Sequence, residues 1–168
     1  AGTITTVTLN NAGAATINSG ALTTLNLGGT LTTVNAGTLG ALTTAANDTL
    51  AVNVTDATST GALTIDTDIT TINFNVTGTD ESTFADLVNA SATAINIAGD
   101  AALTIGASTV DAEAVYTSTN TAGVTITPAL GVEQQFVGAA GDDSVSVGAT
   151  TTAINMGAGD DTVTISTE

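Results

Sequence analysis

The sequence predicts an all-β chain wound as a parallel β-solenoid with one short helical insertion, and three observations carry that expectation. Apolar residues recur at intervals of 8 or 9: Ile17, Leu25, Val34 and Leu42 near the start, Val145, Ile154 and Val163 near the end. Such spacing suits neither an amphipathic helix nor a coiled coil, and it fits about two short strands per coil. β-Branched residues run throughout and there is a single proline, Pro128, which favours strand over helix. The chain has three Phe, one Tyr and no Trp, so its core must be thin and built from Ala, Val, Leu and Ile.

Residues 1–78 read as regular Thr/Asn-rich coils. The triplets Thr16-Ile17-Asn18, Thr24-Leu25-Asn26 and Thr33-Val34-Asn35 would set Asn at successive strand ends, where stacked amides hydrogen-bond along the axis. A flat threonine array can also bind ice, but these threonines form no strict Thr-x-Thr ladder, and the triplets read as structural. From Ala46 to Val76 the coils lengthen, with Leu50, Val52 and Val54, then Ile72, Phe74 and Val76, in alternation. Asp66 and Asp68 share a face near a turn and could hold a cation, yet no glycine-rich turn precedes them and solvated edge charge is the expected role. Asp48 and Asp56 have less context still.

Residues 79–90, TDESTFADLVNA, are the expected helix: Thr79 can cap it, Asp80 and Glu81 sit in its first turn, and Phe84, Leu87 and Val88 fall at i, i+3 and i+4. Residues 91–168 resume the coil. Asp100 follows Gly99 as in half of a calcium turn, but Ala101 stands where a ligand belongs. Residues 107–137 look less regular, with a longer loop leaving the stack before Phe136 leads back, and Tyr116 reads as a packing residue. At about 18 residues per coil, stacked at the ~4.8 Å inter-strand spacing, the chain gives at most roughly nine coils, reduced by the excursions to about seven.

Lys, Arg and His are absent against 16 Asp and Glu, a formal charge of −16. Neither nucleic acid nor an anionic membrane finds an electrostatic handle, and divalent cations are the natural counter-charge. Without cysteine there is no disulfide framework, zinc thiolate site or cysteine nucleophile, and without histidine the commonest general base is missing. No run is long enough for a transmembrane helix, and no N-terminal signal pattern is present. A polysaccharide-degrading β-helix would need paired carboxylates in a cleft or a basic residue to stabilise charge, so no enzyme is expected. The whole of 1–168 is expected to be a single solenoid domain, a fragment of something longer.

The most specific stretch is 138–166, GAAGDDSVSVGATTTAINMGAGDDTVTIS. Val145, Ile154 and Val163 lie 9 apart, with Asp143 and Asp161 each two residues before the first and last of them. That register is the nonapeptide G-G-x-G-x-D-x-U-x, the calcium-binding repeat of RTX parallel β-helices. Its first six residues form a turn and its last three a strand, so positions 18 apart stack. Asp143 and Asp161 should then meet across neighbouring coils at about 4.8 Å, where two carboxylates repel unless a cation lies between them. A hard ion with oxygen ligands, calcium, suits such a place. Thr152 stands at the aspartate position of the intervening repeat, leaving that side metal-free. Asp142 and Asp160 are expected to face solvent or brace the turn.

The stretches TVTLNNAGAATINSGALTTLNLGGT, TTINFNV, AINIAGDAALTI and VGATTTAINMGAGDDTVTIS resemble, in the same order, the calcium-rich solenoid region of RTX-type surface-layer proteins of the Caulobacter kind. The resemblance implies a protein secreted by a type I system to the bacterial cell surface, where calcium lets it self-associate into a two-dimensional lattice. It implies ligands at Asp143 and Asp161 with backbone carbonyls of Gly138, Ala140, Gly141, Gly157 and Gly159, and other domains of the parent chain as partners. An RTX adhesin or a spacer in a larger secreted protein would share every one of these residues.

Overall fold

A computed structural model describes residues 3–37, 48–148 and 153–166. Within them the chain is a parallel β-solenoid of about seven turns, without helix, whose strands β1 to β16 pair into one continuous hydrogen-bonded sheet. The pairing register divides this sheet into three faces. The first stacks β1 (Thr6–Asn10), the start of β3 (Thr24–Leu31), the start of β5 (Thr49–Ile65), β6 (Thr71–Thr77), β8 (Ala94–Gly99), β11 (Val115–Ser118), β13 (Gln135–Val137) and β15 (Ala153–Asn155). The second stacks the end of β3, the middle of β5, the start of β7 (Ser82–Asn89), β9 (Leu103–Ile105), β12 (Val124–Leu130), β14 (Ser144–Gly148) and β16 (Thr162–Ser166). The third holds β2 (Ala15–Ile17), β4 (Val34–Ala36), the ends of β5 and β7, and β10 (Ser108–Val110).

Alternation along each strand turns every second residue inward, and parallel register sets like on like. Leu50, Ile72, Ile95, Tyr116, Phe136 and Ile154 form one such inward column on the first face. Leu31, Ser59, Phe84, Ile105, Ile126, Val145 and Val163 form another on the second. Phe74 and Phe84 meet in the interior with ring centroids 6.0 Å apart. Tyr116 is fully buried and its hydroxyl is 2.7 Å from Ser108 Oγ, which makes it the packing residue expected of it.

Coil length varies with position. Val7 pairs with Leu25 and Phe136 with Ile154, each 18 residues on, whereas Leu25 pairs with Val52, 27 residues on, and Phe74 with Ile97, 23 on. Longer coils have room for three faces instead of two, so the chain makes about seven turns where 18 residues throughout would have given more.

Three expectations are corrected. Residues 79–90 form no helix: Ser82–Asn89 is strand β7, hydrogen-bonded to neighbours on both sides. The spacing of Phe84, Leu87 and Val88 mimics a helix because the strand turns a corner at Ala85-Asp86. Ser82 and Phe84 point inward before it, and Leu87 and Asn89 after it. Residues 107–137 do not leave the stack, since β10 to β13 occupy them. The asparagines stack at mid-strand and not at strand ends: Asn53 Nδ2 donates to Asn26 Oδ1 at 2.8 Å, Asn26 Nδ2 to Thr8 Oγ1 at 3.0 Å, and Asn96 Nδ2 to Asn73 Oδ1 at 2.8 Å. Asn18 and Asn35 have no part in these ladders. Leu42 and Thr152 lie outside the described residues.

Candidate metal centre

The last coils keep the nonapeptide period. Strands β13, β14, β15 and β16 begin at residues 135, 144, 153 and 162, and Val145 pairs with Val163. One step back in the same register, Leu103, Val124, Asp143 and Asp161 form a single column. The two aspartates thus continue a core column that the preceding coils fill with leucine and valine.

Asp143 is 1% exposed. Its Oδ1 accepts the Val124 amide at 2.8 Å, its own amide donates to Asp161 Oδ1 at 2.9 Å, and its carbonyl accepts the Thr162 amide at 2.8 Å. Its Oδ2 is buried with no hydrogen-bond partner. A buried, unpaired carboxylate oxygen is costly. Burial therefore pushes the Asp143 carboxyl above its ordinary value; the Val124 amide opposes the shift, and the charges of Asp161 and Asp142 add to it.

The glycines of the turn leave space around these oxygens. A Cβ at Gly138 would lie 2.4 Å from Asp143 Oδ2 and 2.2 Å from the Met156 carbonyl, so both oxygens converge on the place a side chain would fill. At Gly159, where φ is 148°, a Cβ would lie 2.5 Å from the Gly141 carbonyl and 3.0 Å from Asp142 Oδ1. At Gly157, φ 88°, it would meet the Ala139 carbonyl at 2.4 Å. Neighbouring turns therefore pack backbone on backbone, which any side chain would prevent.

The structure brings Asp143, Asp161 and Gly138 together, and sets Gly141 against Gly159 beside Asp142. Gly157 packs on Ala139, and Ala140 is exposed. Asp161 satisfies an amide instead of facing the Asp143 carboxylate. Asp142 braces the turn, its Oδ1 accepting the Asp160 amide at 2.8 Å. Sequence reasoning missed the Met156 carbonyl, because carbonyl directions are not written in residue identity. It also missed Asn120, a fully buried residue whose Oδ1 accepts the amides of Ala122 and Gly123 in the turn beneath.

The donor set fits a hard cation in kind: an orphaned carboxylate oxygen beside a carbonyl, with a second carboxylate in the next coil. Among the described residues no three acidic side chains converge, so carbonyls would have to supply much of the coordination.

The other acidic positions are simpler. Asp66 Oδ1 accepts the Asp68 amide at 2.9 Å, closing a turn. Asp100 is exposed while Ala101 is buried. Asp56, at φ 46°, accepts the amides of Thr79 and Asp80 at 2.8 Å each. Asp56, Asp80, Glu81, Asp100, Asp142, Asp143, Asp160 and Asp161 all fall at the corner between the first and second faces. Unit charges about 4.8 Å apart repel by about 0.9 kcal/mol even in water, so this corner attracts counter-ions.

What fold and corner define is a parallel β-solenoid with an acidic edge and, in its last described coils, a buried Asp143 under a half-buried Asp161. No protein-family model matches the chain, and no curated protein matches it in sequence.

Proposed function

We propose that the chain is a non-catalytic structural module of a secreted, RTX-type surface-layer protein, which binds calcium in its last coils and contributes to a two-dimensional lattice on the bacterial surface. The observation that carries this reading is the Asp143–Asp161 column. A carboxylate in a core position, one oxygen unpartnered, costs the metal-free fold stability and makes binding of a cation and completion of the coils one event. When bound, calcium supplies the positive charge that a chain without Lys, Arg or His cannot. Asp143 and Asp161 would hold it, with carbonyls of Gly138, Ala140, Gly141, Gly157 and Gly159 as the resemblance implies, and Met156 as the geometry adds. A ligand that binds only the folded state stabilises it by about 2.7 kcal/mol at a hundred times its dissociation constant. Calcium-poor cytosol and calcium-rich exterior would then leave the module loose inside and set outside.

The test is small-angle X-ray scattering over a concentration series, in millimolar calcium and in chelator. Expansion in chelator, compaction in calcium and a mass that grows with concentration support the lattice module. A compact monomer that binds calcium without associating favours the adhesin or spacer reading, and equal compactness in both buffers sinks the calcium role.

A further inference from the structure

The second face carries a feature that the calcium reading does not use. Its outward positions in successive coils are Thr30, Thr58, Thr83, Thr104, Thr125, Ser144 and Thr162, each paired in register with the next. Seven consecutive coils thus present a hydroxyl at one position. Two residues along in the same coils stand Thr32, Thr60, Ala85, Gly106, Thr127, Ser146 and Thr164. Between the two ranks the chain turns inward at Leu31, Ser59, Phe84, Ile105, Ile126 and Val145. Thr-x-Thr pairs at 30–32, 58–60, 125–127 and 162–164 are thus gathered onto one face from segments distant in sequence.

These hydroxyls are not spent on the fold. In the first rank only Thr104 has a side-chain partner among the described residues, donating to Glu81 Oε1. In the second rank, Thr60 Oγ1 alone reaches a carbonyl, that of Leu31, at 3.5 Å. Threonines at the edges of the first face behave otherwise: the hydroxyls of Thr23, Thr70 and Thr77 turn back onto carbonyls of the coil below.

We propose that the second face binds ice, holding a layer of water in register with the crystal. The first rank repeats at about 4.8 Å along the stack, and where β14 and β16 keep both ranks in register the hydroxyls stand about 6.6 Å apart across the strand, a net on the scale at which ordered water repeats. Each hydroxyl both donates and accepts, as lattice water does. Threonine is stiff at χ1, so the array is ordered before it meets a surface. Neither rank carries a charge, and neither has an aromatic ring on which a sugar could stack or a large apolar side chain to anchor a protein. At Ala85, where β7 bends, and at Gly106, just past β9, the second rank carries no hydroxyl.

The test grows a single ice hemisphere from a dilute solution of the 168-residue chain, tagged with a fluorophore, in calcium buffer. The fraction of protein taken into ice is read alongside inhibition of ice recrystallisation. Wild-type protein is expected to enter the ice and suppress recrystallisation. Thr58→Tyr and Thr127→Tyr are expected to lose most of both effects with unchanged circular dichroism, while Asn75→Tyr on the first face keeps them. Exclusion of the wild-type protein from ice overturns the proposal, as does equal uptake by the second-face variants. So does retention on an insoluble polysaccharide in place of ice.

Discussion

Asp143 stands where Leu103 and Val124 stand in the two coils beneath it, and the cost of that exchange should be measurable. Its carboxyl titrates above the ordinary value of 3.8 in the folded chain. The folded state therefore holds its proton at pH values where the unfolded chain has released it. Without calcium, that contribution to stability is fully present below the ordinary carboxyl value and is lost as pH rises through the raised one. Melting of the protein in chelator should show this loss as pH rises above the ordinary carboxyl value, and Asp143→Asn should abolish it while raising the melting temperature on the high-pH side of the transition. A flat profile in the unsubstituted protein would mean that the carboxylate finds a partner in solution. Asp161→Ala acts differently. It removes the acceptor for the Asp143 amide, worth about 1 kcal/mol, and is expected to weaken the calcium dependence of folding; a calcium titration followed by circular dichroism that matches the unsubstituted chain would exclude Asp161 as a ligand.

At the scale of elements, the parts most legible in the sequence were those with a strict period. Nine-residue spacing in 138–166 gives the starts of β14 to β16 and the 18-residue pairing of Val145 with Val163, because turn and strand there have fixed lengths. Strand β7 was not legible. Its inward residues change phase where the chain bends at Ala85-Asp86, and a bend between two short strands leaves the same apolar spacing as a helix. What decides for strand is hydrogen bonding to residues about 20 positions away on either side, which no local window contains. The aspartate pair was legible as a pair, whereas its place in the core column was not, since that depends on Leu103 and Val124 being stacked beneath it. Phe84→Ala probes this element. As a strand residue packed on Phe74 in the interior, it should cost about 3–5 kcal/mol in chemical denaturation; a residue on a peripheral helix would cost far less. Asn53→Ala, which cuts the amide ladder at Asn26, should cost about 1 kcal/mol by the same measurement.

For the whole molecule, the unequal coils are the feature with the widest reach. Ladder hydrogen bonds run along the stack axis, and each coil touches mainly its neighbours. Tension applied between the two ends therefore peels coils one after another, as thread leaves a spool. Each detachment releases the length stored in that coil: about 60 Å for an 18-residue coil and about 90 Å for the 27-residue one, at roughly 3.4 Å per residue. A single molecule stretched in an optical trap should give a staircase of unequal steps. If unwinding starts from Ser166, the first two steps cross the coils that carry Asp161 and Asp143, and calcium should raise the force of those steps alone. The strands beneath them would yield as before, and the trace would read as a clasp in the last coils of a thread whose other steps differ only in length.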